Sequence, residues 1–370
     1  MQTPSILKAG GSRVLLLGPA RGAVSGVSTH LNQLFDSALA QQFALLHFQV
    51  GSEGRKDGRL GAAWRLMTSP LAFAARLAAA RPRIVHINTS LEPRSYWRDL
   101  AYLMIAKLAR RKVIYQVHGG ALPAEFFAGR PLLTGLLRRV LSLPDSVVLL
   151  AHSEMTAYAA FAPWARLTRI ANAVSIADID LRAARYLAPK TLEIAYLGRL
   201  AADKGVFEII EAMRLLRARG IAARLTIAGS GAALHEIRAA IGKARLEAQV
   251  RLMGAVFGTA KQQLWAATHV FAFPTYHREG LPYALLEAIA SGAVPVVSPV
   301  GAIPDVVQEG VHGLFVPPHA PEALADALER LALDRALLHR LALAARARTI
   351  DQYSIARLAE EFAALYARLA

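Results

Sequence analysis

Residues 273–307 read FPTYHREGLPYALLEAIASGAVPVVSPVGAIPDVV and contain the clearest strand, helix and strand pattern in the chain. An apolar run ends at the start of this stretch, and a polar loop follows it. The apolar periodicity of residues 283–290 predicts a helix with a buried face. Gly292 and the β-branched residues after it predict a second buried strand over residues 294–297. The stretch therefore predicts one repeating unit of a parallel sheet covered by helices.

The same alternation of short apolar runs with Ala/Leu/Arg stretches of helical length extends through the chain, which predicts an α/β protein. Two series of strands predict two Rossmann-like domains, at residues 1–185 and 190–353. A closing helix over residues 354–370 can pack on either domain. The predicted strands are 13–17, 45–50, 84–87, 113–117, 147–151, 168–171, 193–197, 223–228, 250–253, 269–272, 294–297 and 313–316.

Length and composition exclude several classes of protein. The 370 residues suffice for about two domains, and a hydrophobic fraction of 54% excludes a disordered chain. The chain has no cysteine, which excludes disulfides, thiolate metal sites and a cysteine nucleophile, and which fits a reducing compartment such as the cytosol. The apolar runs are too short to span a bilayer, and the run after Arg13 is too short for a signal peptide.

The net charge of +16 implies an anionic partner, and residues 1–180 carry most of it, with 21 basic and 10 acidic side chains. Three segments there, around Trp64, Trp97 and Phe126, combine Arg or Lys with large apolar residues. Each segment by itself also fits a helix with leucine in the core and arginine in solvent. Together they predict a cytoplasmic protein bound peripherally to the anionic inner face of the membrane. No module that reads nucleic acid is recognisable, so no nucleic-acid partner is expected.

Two carboxylates flank the start of the helix predicted over residues 283–290. Glu279 lies in the preceding loop, and Glu287 follows eight residues later inside the helix. Unpaired N–H groups at a helix start suit phosphate, whereas carboxylates bind hydroxyls unless a metal is present. The pattern predicts sugar and ribose hydroxyls around a diphosphate, although two surface glutamates beside an ordinary helix start remain the plainer alternative. The helix start comprises Gly280, Leu281, Pro282 and Tyr283.

Three further loops follow predicted strands of the second domain. Residues 196–205 read YLGRLAADKG, in which Arg199 and Lys204 can direct two cations to one diphosphate, although such residues are usually solvated. A Gly-x-Gly sequence follows the next strand, and an ordinary turn explains it equally well. The segment 253–256 follows the third strand. The residues of these loops that we expect to line a nucleotide are Gly198, Gly229, Gly231 and Val256.

In the first domain, Gly22 and Gly26 lie between the first strand and a helix, where they allow phosphate or a sugar to approach the backbone. Their spacing does not match a dinucleotide fingerprint, which excludes NAD. His118 follows a predicted strand as His-Gly-Gly, at the sheet edge where α/β proteins place ligands. A single histidine is more often structural than functional.

These motifs resemble those of retaining glycosyltransferases of family 4, also called group 1 glycosyltransferases, which serve in bacterial cell-surface polysaccharide biosynthesis. The resemblance covers nearly the whole chain and implies the GT-B fold, with two facing Rossmann-like domains, parallel sheets and a C-terminal helix. It implies that Glu279 and His118 contact the donor sugar and that Glu287 holds the ribose. Arg199 and Lys204 would stabilise the departing nucleoside diphosphate, close to the amides of residues 280–283. The chain departs from the family at Ser25, where a glycine is common.

The resemblance implies transfer of a hexosyl group from a UDP- or GDP-sugar, with retention, to a membrane-associated glycan or a polyprenyl-diphosphate-linked acceptor. We expect no metal and no other cofactor, because Arg199 and Lys204 supply positive charge. The one Asp-x-Asp sequence, at Asp178 and Asp180, lies in the interdomain connection. Two alternatives stay open: a nonhydrolysing sugar-nucleotide epimerase of the same architecture, and a nonenzymatic basic protein that binds lipid or nucleic acid. The donor base, the acceptor and the oligomeric state are not determined.

Overall fold

The computed structural model describes residues 12–55, 58–176, 181, 183–188 and 190–370. Contacts divide the chain into two compact units. One comprises Met1–Ala173 together with Ile355–Ala370, and the other comprises Val174–Ser354. Asp178 and Asp180 lie outside the described residues.

The division between the units falls before the 185/190 boundary inferred from the sequence. The backbone N–H of Val174 donates to the carbonyl of Tyr353 at 2.8 Å, and Val174 pairs with Ser354 in a parallel bridge. The chain therefore enters and leaves the second unit at adjacent points.

Each unit is built on a six-stranded parallel sheet. The order in the first sheet is β2-β1-β3-β4-β5-β6, and in the second it is β12-β11-β10-β7-β8-β9. The strands are β1 (Arg13–Gly18), β2 (Ala44–Gln49), β3 (Ile84–Leu91), β4 (Lys112–Gly120), β5 (Ser146–Leu149), β6 (Leu167–Arg169), β7 (Leu192–Leu197), β8 (Ala223–Ala228), β9 (Val250–Gly254), β10 (Val270–Phe273), β11 (Val294–Val297) and β12 (Leu314–Phe315).

The helices provide the crossovers between these strands. They are α1 (Gly26–Asp36), α2 (Leu39–Gln42), α3 (Arg59–Ala80), α4 (Pro93–Leu108), α5 (Pro123–Phe126), α6 (Pro131–Ser142), α7 (His152–Phe161), α8 (Ala183–Leu187), α9 (Val206–Ala218), α10 (Leu234–Lys243), α11 (Gly258–Ala267), α12 (Tyr283–Ala290), α13 (Ile303–Val306), α14 (Pro321–Leu333), α15 (Arg335–Gln352) and α16 (Ile355–Leu369). A 3₁₀ turn covers Ala202–Lys204.

Every predicted strand overlaps an observed one, and the α/β class is confirmed. Parallel strands covered on both faces appear in the sequence as continuous apolar runs, and Val14 to Leu17 of β1 are fully buried. The observed end of one strand, β4, differs from the predicted end in a way that matters for the site. Strand β4 continues to Gly120 because β3 beside it also continues, so His118 lies within the strand and not after it.

The closing helix α16 packs on the first unit. Phe362 and Tyr366 are fully buried in one core cluster with Val14 and Ile114 of the sheet. The hydroxyl of Tyr366 lies 2.7 Å from Nδ1 of His86 in β3. In the described part of the chain, no helix combines the length and the apolar character needed to cross a membrane.

Candidate functional site

The strand order of the second sheet reverses at β7, since β8 lies on one side of it and β10 on the other. Loops at the carboxyl ends of strands diverge at such a reversal, and α/β proteins bind ligands in the crevice that this leaves. The loop of Arg199 and Lys204 follows β7, and the loop of Glu279 follows β10. The sheet thus brings three predicted site residues to one edge although they come from separate motifs.

Backbone hydrogen bonds join these loops directly. The amides of Tyr276 and His277 donate to the carbonyl of Asp203 at 3.1 and 3.0 Å. The amide of Ala302 donates to the carbonyl of Glu279 at 3.1 Å. Gly301 has φ +58°, and a Cβ there would lie 2.0 Å from the same carbonyl, so only glycine allows this approach. The loop that carries Glu279 is therefore held on both sides.

Lys204 and Glu279 form an ion pair, with 2.6 Å between Nζ and Oε1. Their side chains are only 10% and 14% exposed. The hydroxyl of Thr275 lies 3.4 Å from the same carboxylate oxygen. A carboxylate has about four lone-pair positions, so Glu279 keeps acceptor capacity for hydroxyl groups beyond this pair.

Arg199 lies on the same loop as Lys204 but faces a different carboxylate. Its guanidinium is 3.9 Å from Oδ2 of Asp203, and its side chain is 61% exposed. The backbone carbonyl of Arg199 accepts a hydrogen bond from the hydroxyl of Tyr196 at 2.8 Å. The backbone of this turn is thus held in place while the guanidinium is loosely paired and accessible to an anionic ligand.

Glu287 has two partners that the sequence analysis did not identify. Nζ of Lys261 lies 2.7 Å from Oε1, and the indole N–H of Trp265 lies 3.4 Å from Oε2. Both partners belong to α11, where a spacing of four residues places them on one face. That spacing was visible in the sequence, but nothing local connected α11 with α12.

The helix α12 begins at Tyr283 and ends at Ala290, as predicted. Pro282 precedes it in an extended conformation, and among the described residues no side chain caps the first turn. Leu281 is buried, whereas Gly280 and Pro282 are half-buried. Burial, with the nearby Glu287 carboxylate, raises the pKa of the Tyr283 phenol well above its ordinary value, so the phenol stays protonated.

The glycines after β7 and β8 pack against each other's loops. Gly229 has φ +144°, and a Cβ there would lie 1.8 Å from the carbonyl of Gly198. A Cβ on Gly231 would lie 2.1 Å from the carbonyl of Leu200. Loop packing therefore accounts for Gly229 and Gly231 without a ligand. Val256, which the sequence analysis grouped with these glycines, is buried just after β9.

In the first unit, Ser25 caps helix α1 by accepting a hydrogen bond from the amide of Ser28 at 3.3 Å. This contact gives a structural reason for serine where the family commonly has glycine. Gly26 is the first residue of α1. A Cβ on Gly22 would meet nothing within 4 Å, so the space beside the β1–α1 loop is open to a ligand.

His118 is oriented by Asn88 of β3. The distance from Nε2 of His118 to Oδ1 of Asn88 is 2.8 Å, and Nδ2 of Asn88 donates to the carbonyl of Leu17 at 2.9 Å. Because the Asn88 oxygen must accept, we assign the imidazole hydrogen to Nε2. Burial, with a smaller contribution from His86, lowers the pKa of His118 to about 3. His118 is therefore a neutral imidazole.

Two buried histidines, His30 and His86, lie near His118. The ring centroid of His30 lies 5.0 Å from that of His118. Nε2 of His86 lies 2.9 Å from Oε1 of Gln116. Burial lowers the pKa of His86 to about 4 and holds the pKa of His30 well below its ordinary value. Among the described residues, no group of three or more His, Asp or Glu is placed to hold a metal ion.

Comparison with known proteins finds a similarity to one family in the second unit. Residues 179–348 match the model described as "Glycosyl transferases group 1". The amylovoran biosynthesis glycosyltransferase AmsK of Erwinia amylovora is 31% identical over 184 residues, which cover 48% of this chain and 45% of AmsK. The first curated relatives match this chain over less than half of their own length.

Two other similarities extend over most of the chain. A GDP-mannose-dependent alpha-(1-6)-phosphatidylinositol monomannoside mannosyltransferase of Mycobacterium tuberculosis is 25% identical over 350 residues, covering 88% of this chain and 90% of the relative. The structure of Anabaena HepE in complex with UDP-glucose has a TM-score of 0.72 at 17% identity, over 96% of this chain and 100% of HepE. The GT-B fold expected from the sequence is thereby confirmed.

Proposed function

We propose that the protein is a group 1 glycosyl transferase that transfers a hexosyl group from a UDP- or GDP-sugar with retention of configuration, because residues 179–348 match the model of that family. The acceptor is a membrane-associated glycan or a polyprenyl-diphosphate-linked sugar of bacterial cell-surface polysaccharide biosynthesis. The observation that carries this proposal is the contact between Lys204 and Glu279 at the β7/β10 reversal. It joins a cation suited to a diphosphate with a carboxylate suited to sugar hydroxyls, at one edge of one sheet.

The contacts of each side chain support its proposed role toward the donor. Glu279 accepts hydrogen bonds from the sugar hydroxyls through its remaining lone pairs. Glu287 does the same for the ribose, between α11 and α12. The loosely paired guanidinium of Arg199 turns from Asp203 to the diphosphate, where the first-turn amides of α12 also point. The complex of HepE with UDP-glucose supports a nucleotide-sugar donor for this fold.

In the transfer, the bond between the anomeric carbon and the diphosphate oxygen breaks, and its electron pair leaves with the nucleoside diphosphate. The acceptor oxygen attacks the same face of the sugar and gives its proton to the departing phosphate oxygen. Arg199 and Lys204 stabilise the negative charge that develops on that phosphate. These two cations take the place of a metal ion. Neutral His118 contacts the donor sugar by hydrogen bonding and carries no charge of its own.

The basic first unit supports a membrane-associated acceptor. Its excess of arginine and lysine attracts the anionic inner leaflet, and exposed Trp64 and Trp97 can insert at the interface. The mannosyltransferase relative acts on a phosphatidylinositol monomannoside by its name, which agrees with this class of acceptor.

The donor is tested by thermal-shift measurements with UDP, GDP and ADP, followed by turnover of the sugar nucleotides of the stabilising base. We expect one nucleoside diphosphate to raise the melting temperature, and its sugar to be transferred to a membrane extract. Stabilisation with interconversion of two sugar nucleotides and no acceptor would indicate an epimerase. The absence of any stabilisation would contradict the assignment of the site.

Membrane association is tested by cosedimentation of the full chain with vesicles. We expect binding to vesicles that contain phosphatidylglycerol, less binding to neutral phosphatidylcholine, and release as salt rises, because salt screens charges beyond about 10 Å at 0.1 M. Equal binding to both kinds of vesicle would contradict an electrostatic origin.

A further inference from the structure

The guanidinium of Arg185 joins the ends of the two helices that carry the proposed ribose contact, α11 and α12. We propose that Arg185 is a positioning residue, which holds Glu287 in the geometry that selects a nucleotide with free ribose hydroxyls. This role rests on the proposed function, in which Glu287 accepts hydrogen bonds from the ribose. The contacts that carry it lie within the second unit, among α8, α11 and α12.

Arg185 donates to backbone carbonyls of both helices. Its Nη1 donates to the carbonyl of Ser291, the residue after α12, at 2.9 Å. Its Nη2 donates to the carbonyls of Trp265 and Thr268, at the end of α11, at 3.2 and 2.9 Å. Carbonyls at a helix end lack the usual partners within the helix and attract a cation. One guanidinium therefore serves the ends of two helices at once.

Both helix ends lead directly to Glu287. On α12, the amide of Ser291 donates to the carbonyl of Glu287 at 3.1 Å, one helical turn away. On α11, the indole N–H of Trp265 lies 3.4 Å from Oε2 of Glu287, while the backbone carbonyl of Trp265 accepts from Arg185. The backbone and the carboxylate of Glu287 are thus each connected to Arg185 through a single residue.

The next residue of α8 keeps Arg185 in place. The Cζ of Arg185 lies 5.3 Å from the ring centroid of Tyr186, which is fully buried. The hydroxyl of Tyr186 donates to the carbonyl of Gly292 at 2.9 Å, and its ring stacks on that of His339 in α15, with centroids 5.1 Å apart. A Cβ on Gly292 would lie 2.5 Å from this hydroxyl, and the φ of Gly292 is +80°. Only glycine therefore allows α8 to pack so closely on the end of α12.

The arrangement requires an arginine and not simply a positive charge. The donors of a guanidinium are fixed in one plane, so the direction of one hydrogen bond sets the direction of the others. The change Arg185→Lys keeps the charge but leaves a single ammonium group, which cannot hold both helix ends in this fixed geometry. Trp265 and Ser291 are buried, so a carbonyl that loses its donor there is not readily compensated by water. Arg185→Lys should therefore loosen the contact between Trp265 and Glu287.

The first experiment measures how well the full chain distinguishes a nucleoside diphosphate from its 2′,3′-dideoxy form. The probes are UDP or GDP, whichever raises the melting temperature, and the matching dideoxy compound. Titration calorimetry gives the ratio of the two dissociation constants. We expect a ratio of roughly 10 or more in the wild type, because the dideoxy form lacks the hydroxyls that the charged carboxylate accepts. Glu287→Gln and Arg185→Lys should each lower this ratio by about 3-fold or more.

The matched control is Arg217→Met. Arg217 also donates to backbone carbonyls after a helix, those of Ala244 and Arg245 at the end of α10, with 2.9 Å from Nη2 to the carbonyl of Ala244. Its loss should lower the melting temperature in the same way as the loss of Arg185. The ratio should stay within about 2-fold of the wild type, because distant sites act independently. An equal fall of the ratio in Arg217→Met and Arg185→Lys would overturn the proposal.

Two further variants separate positioning from general stability. Tyr186→Phe removes the hydrogen bond to Gly292 but keeps a ring beside Arg185, so it should destabilise the protein and leave the ratio unchanged. The double variant of Arg185→Lys with Glu287→Gln should show the ratio of Glu287→Gln alone, because Arg185 acts through that carboxylate. A further fall of the ratio in the double variant would overturn action through Glu287.

A measurement without nucleotide tests the same contact. The indole N–H resonance of Trp265, assigned by its loss in Trp265→Phe, reports on the Glu287 carboxylate beside it. We expect Glu287→Gln and Arg185→Lys to shift this resonance, and Arg217→Met to leave it in place. An unchanged resonance in Arg185→Lys would overturn the proposal, whether or not a nucleotide binds.

Failure of this role and failure of the proposed function give different results. If Glu287→Gln lowers the ratio and Arg185→Lys does not, the role of Arg185 is wrong and the function stands. If neither UDP nor GDP binds, the proposed function is wrong. The Trp265 resonance then still decides whether Arg185 positions Glu287.

Discussion

Lys204 and Glu279 lie 75 residues apart in the chain, yet 2.6 Å separates the Lys204 ammonium from the Glu279 carboxylate. The contact exists because β10 pairs directly with β7, so the loops that follow these strands are neighbours. Both side chains are largely buried, and each is the charged partner that the structure shows for the other. This ion pair therefore connects the stability of the second unit with its proposed chemistry.

Replacing one member of this pair should destabilise the protein. Lys204→Met leaves the Glu279 carboxylate buried without its cation, and we expect the free energy of unfolding to fall by about 3 kcal/mol. The double variant Lys204→Met with Glu279→Gln should lose less than the sum of the single changes. Urea denaturation followed by circular dichroism measures both. The exposed pair of Arg224 and Glu193 is the control, and Arg224→Met should cost less than about 1 kcal/mol. Similar losses of unfolding free energy in Lys204→Met and Arg224→Met would contradict the stabilising role of the buried pair.

Nucleotide binding should depend on Glu287 more than on its neighbour Lys261. Glu287→Gln removes a charged acceptor for ribose hydroxyls, and we expect a loss of roughly 1 to 3 kcal/mol in the binding of the nucleoside diphosphate. Lys204→Ala should weaken binding by a similar amount, since it removes a diphosphate contact. Titration calorimetry measures these losses. Glu211→Gln, on an exposed pair of α9, is the control and should bind normally. A larger loss from Lys261→Met than from Glu287→Gln would assign the ribose contact to the lysine.

Sugar transfer should survive saturating EDTA. Arg199 and Lys204 supply the positive charge that stabilises the departing diphosphate, so no divalent ion is needed. The measurement is initial velocity with and without chelator, after removal of metal from all reagents. Activity lost in EDTA and recovered with magnesium or manganese would show that a metal ion performs this role.

The pH dependence of the rate of sugar transfer should show that Asn88 orients His118. In the wild type the pKa of His118 is about 3, because burial disfavours the imidazolium, so this residue stays neutral in the ordinary assay range. Asn88→Asp places a carboxylate against Nε2 and should raise the pKa of His118. The rate of sugar transfer by the Asn88→Asp variant should then fall as the pH is lowered through the new pKa of His118. The wild-type rate should show no such decrease. Parallel profiles of kcat for the two proteins would contradict this role of Asn88.

Stability should fall in mild acid because His86 is buried and neutral. Burial lowers its pKa from 6.5 to about 4 in the folded protein, so below pH 6.5 the unfolded chain binds protons that the folded chain does not. Above the pKa that it has in the unfolded chain, His86 is neutral in both states and contributes nothing to the pH dependence of stability. Between its unfolded and folded pKa, stability decreases with falling pH by about 1.4 kcal/mol per pH unit.

The measurement is urea denaturation at several pH values in this window, for wild type and His86→Gln. The variant should show a smaller pH slope, because it removes one titrating group, whereas His235→Gln at an exposed position should keep the wild-type slope. An unchanged slope in His86→Gln would assign the acid sensitivity to other groups.

Local patterns in the sequence were sufficient to predict the elements that carry the site. Helix α12 and strand β11 were predicted to the residue, because apolar periodicity and the glycine between them are local signals. The sequence also predicted the loops after β7 and β10. For the same reason local patterns alone assign Glu279 to a loop and Glu287 to a helix. Pairs of residues distant in the chain could not be inferred in this way.

The sequence by itself therefore determined the α/β class, the order of the strands along the chain, and the loops and helix that carry the candidate residues of the second unit. Only the tertiary structure decided which residues these candidates touch: Lys204 with Glu279, Lys261 with Glu287, and Asn88 with His118. The physical reason is that these contacts depend on strand order and helix packing. Residue spacing along one element does not encode either of them.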